Sequence, residues 1–430
     1  MVLKIAYSGR HGFLKRRFSA GTRMVVCLLT VFVGLQFFNP AMAEEKPAGI
    51  SLLHCFADEF GQAGLRKVLQ RFSLRHRIPV TENAISHKNF KNVVVQMAAE
   101  SQLPDVTSYW AGSRMRFLVD NDALVVLDHL WSEGNYTSLV PRILAEVTTC
   151  YNGHRYLVPF GYHAVGFFYN PKVFQAVGIE RPPENWEELL MACEKLLAAG
   201  IKPFALGAKN RWPAQFWFDY LLLRTAGAEF RHDLMLGKVA YLDPPVSEVM
   251  RRWAALLKKG YFTRGMLTDD WTDAADQVAA GQAAMTLMGT WVTGYWDRQG
   301  LQPVEDYAFF AFPEMRPGQK RAVVGLIDGL VMGSDSRDPA QAEALINFLL
   351  TDLTAQKIWV RAQGALSPNK KLSAEIYNPV MQEVLQEVTG GGRFVFTYDL
   401  ATCPPVAEQG LSVIARFLYD PENYQEGLAT

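Results

Sequence analysis

From Ile50 onward, short apolar runs alternate with longer amphipathic ones, and this alternation constrains the fold more than any other feature. Ile50 to Phe56 reads as a strand, Glu59 to His76 as a helix, Ile78 to Thr81 as a second strand and Phe90 to Glu100 as a second helix. Leu103-Pro104-Asp105-Val106 then leads to Tyr109-Trp110. Strands separated by helices in this order pack as a mostly parallel α/β sheet with crossover helices on its faces. Ligands of such sheets settle at the carboxyl ends of strands. Tyr109-Trp110 and Gly289-Thr290-Trp291 both fall just past expected strand ends.

The middle of the chain carries sharper signals. YLVPFGYHAVGFFY, Tyr156 to Tyr169, is a broken apolar run closed by Asn170-Pro171. After Pro182-Pro183, Asn185 caps a new helix and Glu188 answers it as in a capping box. Leu189, Leu190, Cys193, Leu196 and Leu197 form that helix's apolar stripe, and Gly200 ends it. Ala283 to Met288 has the length of a buried strand; it stops at Gly289, and Trp291, Tyr295 and Trp296 follow. Tyr307 to Pro313 and Val323 to Gly333 are further strands, and Gln409 to Leu418 is a late helix. Asp58 and Glu59, after the first strand, suit a helix N-cap, and Asp105 suits a turn cap.

The first 43 residues hold six basic residues and no acid, then an apolar run from Met24 to Phe38 and the small-x-small site Ala41-Met42-Ala43. That is the layout of a secretion signal cleaved after Ala43, and the run is too short and interrupted for a good transmembrane helix. Cys27 lies inside it and lacks the small residue that lipid attachment needs before it. Cleavage leaves 387 of 430 residues, 37 of 43 basic side chains and all 43 acids, a net charge of −6. That length exceeds one core, so two lobes are expected. The acidic balance argues against nucleic acid or an anionic membrane as partner. Four cysteines remain, Cys55, Cys150, Cys193 and Cys403; an oxidising compartment permits disulfides, while Cys193 on its apolar stripe reads as a buried thiol.

No metalloprotease, serine-hydrolase, phosphate-loop or zinc pattern is present, so neither catalysis nor a cofactor or metal is indicated. Ten tryptophans, all after the leader, stand out instead. Sugars present weakly apolar C–H faces to aromatic rings and hydroxyls to polar groups, so a sugar site mixes the two residue types. Trp253 and Trp359 sit in helical apolar patterns and read as core. Trp212, after Asn210-Arg211, and Trp271, after Asp269-Asp270, read as loop positions open to a ligand or to packing. Asp328 lies in an apolar strand next to Gly329, where a lone carboxylate is costly, so a ligand or hinge role is expected of it; Asp399 beside Tyr398 is similar.

Taken in order, LPDVTSYW (103–110), GFFYNPKVFQAVGIERPPENWEEL (166–189), AAGQAAMTLMGTW (279–291), YAFFAFP (307–313), ALINFLLTD (344–352) and GALSPNKKL (364–372) resemble the extracellular solute-binding proteins of ABC importers, in the carbohydrate group that includes maltose-binding protein. The resemblance covers essentially the whole mature chain. It implies a two-lobe periplasmic-binding-protein fold, each lobe a mostly parallel sheet flanked by helices, with hinge crossovers and a solute cleft between the lobes. The boundaries expected are 1–43 for the leader, 44–160 with 325–362 for lobe 1, and 161–324 with 363–430 for lobe 2. In the group, the aromatic after the Pro-Asp-Val strand and the Trp of the Gly-x-Trp turn face the sugar, which carries over to Tyr109 or Trp110 and to Trp291. Gly289 is expected to let the backbone turn sharply at the cleft edge. Maltose binders carry an acid six residues before the Tyr-Asn; here His163 stands there beside Tyr162, which argues against maltodextrin.

The resulting expectation is a monomeric, non-catalytic periplasmic or extracellular protein that delivers a sugar, oligosaccharide or polyol to a membrane ABC permease. The alternatives are a sensing subunit for a receptor or histidine kinase, and a secreted carbohydrate-active enzyme. On this reading, protein secreted by its native host begins at Glu44. N-terminal sequencing checks it, and retention of Met1 or Met24 would contradict it.

Overall fold

The computed structural model describes residues 49–57, 59–148, 150–319 and 321–428. The leader with Cys27 and its cleavage site, and the cap at Asp58, lie outside the described residues. Nine strands form one sheet: β1 (Ile50–His54), β2 (Val80–Ala84), β3 (Val106–Trp110), β4 (Val158–Tyr169), β5 (Lys202–Ala205), β6 (Ala283–Gly289), β7 (Ala308–Phe310), β8 (Ala322–Met332) and β9 (Arg393–Phe396). Their order is β2-β1-β3-β8-β4-β6-β5, with β9 beside β8 and β7 beside β4. A two-residue hairpin, Cys150–Tyr151 with His154–Arg155, stands apart.

The pairs β1–β2, β1–β3, β5–β6 and β8–β9 are parallel. The pairs joining the sheet through its middle, β3–β8, β8–β4 and β4–β6, are antiparallel. The mixture arises because β4 and β8, 12 and 11 residues long, run in opposite directions across the whole molecule. At roughly 3.3 Å per residue such a strand reaches about 40 Å. Three strand limits differ from expectation. The second strand starts later, at Val80; the 307–313 strand keeps only Ala308–Phe310; and Tyr109-Trp110 end β3 instead of following it.

The helices that position the site are α1 (Glu59–His76), α2 (His87–Ala99), α3 (Trp186–Ala198), α4 (Gln215–Met235), α5 (Pro244–Lys258), α6 (Trp271–Ala279), α7 (Trp291–Arg298), α8 (Pro339–Thr351), α9 (Leu353–Gln363) and α10 (Pro404–Tyr419). Asn185 Oδ1 accepts the Glu188 amide and so caps α3, but the Glu188 carboxylate reaches back to the amide of Glu184 rather than of Asn185. α4 bends at Gly227, whose φ of +87° needs a residue without Cβ. Beyond the bend Arg231 folds back onto buried Asp219 at 2.5 Å. Trp217, Trp253, Trp296 and Trp359 are fully buried, so Trp253 and Trp359 pack as their helical patterns implied. Among the described residues Cys150, Cys193 and Cys403 are free thiols, Cys193 buried and Cys150 and Cys403 exposed, and Cys55 is buried. Among the described residues no helix is long and apolar enough to cross a membrane.

One polar tie fastens α1 to α9. Asp352 caps α9 by accepting the Ala355 amide and also takes Arg71 at 3.0 Å and Arg75 at 2.8 Å. Burial works against the carboxylate charge, but the Arg71 hydrogen bond and the Ala355 amide prevail and lower its pKa. A carboxyl with a depressed folded pKa contributes stability above its unfolded pKa of about 4 and loses it as pH falls through the folded value. Asp352→Asn is therefore expected to cost about 1–2 kcal/mol at neutral pH, with the gap to wild type narrowing below about pH 4. Urea unfolding of both proteins across that range checks this; a gap constant with pH would contradict the ion-pair account.

Candidate functional site

Strand parity decides which side chains share a face, because neighbours along a strand point to opposite sides of the sheet. Asp328 of β8 pairs with Trp110 of β3 and with Gly161 of β4. His163 pairs with Leu326, two residues from Asp328, and so lies on the same face. Gly289 of β6 pairs with Val165, two residues beyond His163. Trp110, Asp328, His163 and the empty position at Gly289 thus form one row across β3, β8, β4 and β6. Tyr109 and Tyr162 are one residue out of phase and point the other way. Both are buried, at 3% and 2% exposure. Burial raises the Tyr109 phenol to about 12 and the Tyr162 phenol further. Tyr162 packs edge-on against Phe394.

Gly289 has a reason other than a sharp turn. It is absent from the residues with positive φ. A Cβ built on it would lie 1.9 Å from the Trp291 ring. The first residue of α7, Trp291, folds its indole back over the end of β6, and only a glycine leaves room for it on that face. The half-buried indole then meets His163 at 5.4 Å edge-to-face, Trp212 at 5.7 Å and Phe216 at 6.1 Å. Trp212, also half-buried, faces His87 at 6.0 Å, and His87 faces Trp110 at 5.1 Å. Trp110, His87, Trp212, Trp291, His163 and Asp328 therefore follow one another around a ring.

The polar members are tightly placed. His163 Nδ1 lies 2.7 Å from Thr290 Oγ1, and Nε2 lies 3.3 Å from Asp328 Oδ2. With the proton on Nε2, toward the carboxylate, Nδ1 accepts the threonine hydroxyl. The other Asp328 oxygen has no hydrogen-bond donor among the described residues. Asp328 is 4% exposed and His163 2%, so this acceptor keeps only a small opening to solvent and is unfilled by the protein. His87 touches solvent, but the walls around it desolvate its charged form and Lys91 repels it, which brings its pKa down to about 4. It is neutral at physiological pH, able to donate one hydrogen bond and accept another.

Asp399 lies beside this ring and is engaged elsewhere. Its carboxylate takes Lys91 Nζ at 2.7 Å and Thr397 Oγ1 at 2.9 Å, with Arg114 at 4.0 Å. Burial opposes its charge, but the Lys91 and Arg114 cations outweigh burial and hold the carboxyl far below its ordinary value. Lys91 also stands 5.5 Å over the Trp110 ring, so Asp399 fixes a cation at the wall. Trp271, the first residue of α6, stacks edge-on with Tyr295 at 5.3 Å, one turn further along α7 than Trp291. Among the described residues no ring contact joins it to Trp212 or Trp291. The structure thus brings Trp110, His163, Trp212, Trp291 and Asp328 together, sets Asp399 behind them, turns Tyr109 and Tyr162 to the other side of the sheet, and packs Trp271 on Tyr295, next to Asp270, which accepts from Asn210 at 3.0 Å. His87, Lys91 and Thr290 join the site as single polar residues that no pattern in the sequence singles out, even though Lys91 stands in the expected second helix and Thr290 inside the Gly-x-Trp turn. Among the described residues no cluster of His, Cys, Asp or Glu suits a metal ion.

The sequence matches the family described as bacterial extracellular solute-binding protein over residues 62–355. It is 27% identical over 348 residues to an uncharacterised ABC transporter extracellular-binding protein of Pyrococcus horikoshii, covering 80% of this chain and 74% of that one. It is 27% identical over 238 residues, 54% of each chain, to a probable sugar-binding periplasmic protein of Brucella melitensis. Among solved structures, the bacterial solute receptor AcbH, with an exclusive preference for β-D-galactopyranose, superposes with a TM-score of 0.81 at 24% identity over 89% of this chain and 96% of that one. A chitin oligosaccharide binding protein gives 0.79 at 21% identity over 88% and 96%. At these identities the structures share the two-lobe fold. The family match, together with sheet and helices in that arrangement, settles membership: this chain belongs to the bacterial extracellular solute-binding proteins.

Proposed function

We propose that the ring of Trp110, His87, Trp212, Trp291, His163 and Asp328 holds a neutral sugar or polyol and that the protein delivers it to an ABC permease outside the cytoplasm, without catalysis. The observation that carries this reading is the unfilled Asp328 oxygen facing a ring of aromatic side chains. A carboxylate in that state accepts hydrogen bonds well, and a sugar supplies hydroxyl donors on the same molecule that offers C–H faces to indoles. Trp291 and Trp212 serve as the flat walls. Asp328 and His163 serve as the polar end, and neutral His87 adds one donor and one acceptor. The names of relatives that bind sugars support the same chemistry.

The lobes we assign are 44–160 with 325–362, and 161–324 with 363–430. Two of the three crossings, 160/161 and 324/325, fall inside the long strands β4 and β8, and the third, 362/363, falls at the end of α9, so two of the hinge segments are the strands that also carry His163 and Asp328. Trp110 and His87 then close from one lobe, and Trp212 and Trp291 from the other. Delivery follows because a solute held from both sides is released when the two strands flex apart. Secretion through a leader cleaved after Ala43 places the protein where this cycle operates.

Trp291→Ala tests the reading. Removing a stacking wall is expected to weaken the preferred sugar by about 1–3 kcal/mol, roughly ten-fold to more than a hundred-fold, with little change in unliganded stability. Trp253→Ala, in the fully buried control position, is expected to cost about 3–5 kcal/mol of folding stability and leave affinity unchanged. Calorimetric titration and urea unfolding of both variants read the two quantities. The same pattern in both would remove Trp291 from the site.

A further inference from the structure

The segment Arg181-Pro182-Pro183-Glu184-Asn185-Trp186 stood out in the sequence, and the sugar site makes no use of it. It borders a cavity of about 920 Å³ that shares no lining residue with the sugar ring. The wall opposite contains Phe312, Pro313 and Arg224 of α4. Arg224 is 4% exposed. Its Nε donates to the Pro313 carbonyl at 3.2 Å, its Nη2 donates to the Phe312 carbonyl at 2.8 Å, and its guanidinium lies 5.7 Å over the Tyr220 ring. Nη1 has no acceptor, and the group forms no ion pair, among the described residues.

Three of the other four arginines of the cavity are in a different state. Arg181 is held by Glu184 at 3.0 Å and Glu188 at 2.9 Å, Arg252 by Glu248 at 2.6 Å, and Arg321 lies 3.7 Å from Glu387. The fourth, Arg316, is exposed to water. Arg224 alone among the five is buried and bonded to no carboxylate, with Glu314 and Glu387 of the lining acting on it only from a distance. A buried cation without a bonded counter-ion is unfavourable, and a guanidinium fork fits a carboxylate or phosphate. Beside it, half-buried Trp186 stacks on Phe312 at 6.1 Å and 24° and continues the Pro182-Pro183 surface as an apolar wall. The volume lies in the range of pockets that take small organic molecules.

We propose that this cavity is a second binding site, for an organic anion whose carboxylate or phosphate accepts from Arg224 and whose ring lies against Trp186. The site is independent of the sugar, so both ligands bind at once. Phenyl phosphate and inorganic phosphate are the probes, titrated calorimetrically into the mature protein with and without saturating sugar. Phenyl phosphate is expected to bind saturably, tighter than inorganic phosphate and equally well in both conditions. Arg224→Lys keeps the charge but cannot serve two carbonyls and a ligand together, so it is expected to weaken both probes about ten-fold or more. Trp186→Ala is expected to weaken phenyl phosphate about ten-fold and leave inorganic phosphate unchanged. Retained sugar affinity shows that each variant folds, and if Arg224→Lys does not fold, the Trp186→Ala pair of titrations decides. Absence of saturable binding at millimolar phenyl phosphate, equal loss of both probes in Trp186→Ala, or displacement by sugar would overturn the proposal.

Discussion

A carboxylate set almost wholly inside a sheet must find donors, and Asp328 finds its nearest one in His163 on the neighbouring strand. Much of the site follows from that. The pair needs β4 and β8 side by side, and these two strands pair antiparallel in the middle of the sheet. The imidazole, fixed between Asp328 and Thr290, presents its edge to Trp291. The indole needs the space over β6, and so that strand ends on glycine. One oxygen of Asp328 is left without a protein donor among the described residues. The same two strands are the longest described strands of the sheet, and under the proposed lobe assignment they put the polar end of the site at the hinge.

Strand and helix order was readable because it rests on local periodicity. The parallel ends of the sheet, the cap at Asn185 and the end of a helix at Gly200 are all one-segment properties. The antiparallel middle was not readable, since pairing of β4 with β8 joins residues far apart in the chain. Asp270 is instructive: a full capping box opens α6 there, which gives Trp271 a helical position in place of the loop its sequence context implied.

The site was legible in residue type and less so in direction. Trp110 and Tyr109 are adjacent, and only the register with β8 decides which faces Asp328. The same parity separates His163 from Tyr162. Gly289 was read as a turning residue, the common reason for a glycine at a strand end. Its backbone is ordinary, and its role is steric: the missing Cβ is where the Trp291 ring lies. Asp399 carried the right residue type but spends its charge on Lys91 and Arg114. His87 was invisible because its meaning depends on two tryptophans that are distant in sequence and join it only in the fold.

If the hinge strands carry the site, solute binding and lobe closure are one event. Small-angle scattering of the mature protein measures this directly, with and without saturating amounts of its preferred sugar. The account predicts a smaller radius of gyration in the saturated protein, as β4 and β8 flex to bring Trp110 and His87 toward Trp212 and Trp291. An unchanged radius at full saturation would contradict it and leave a rigid site in place of a closing one.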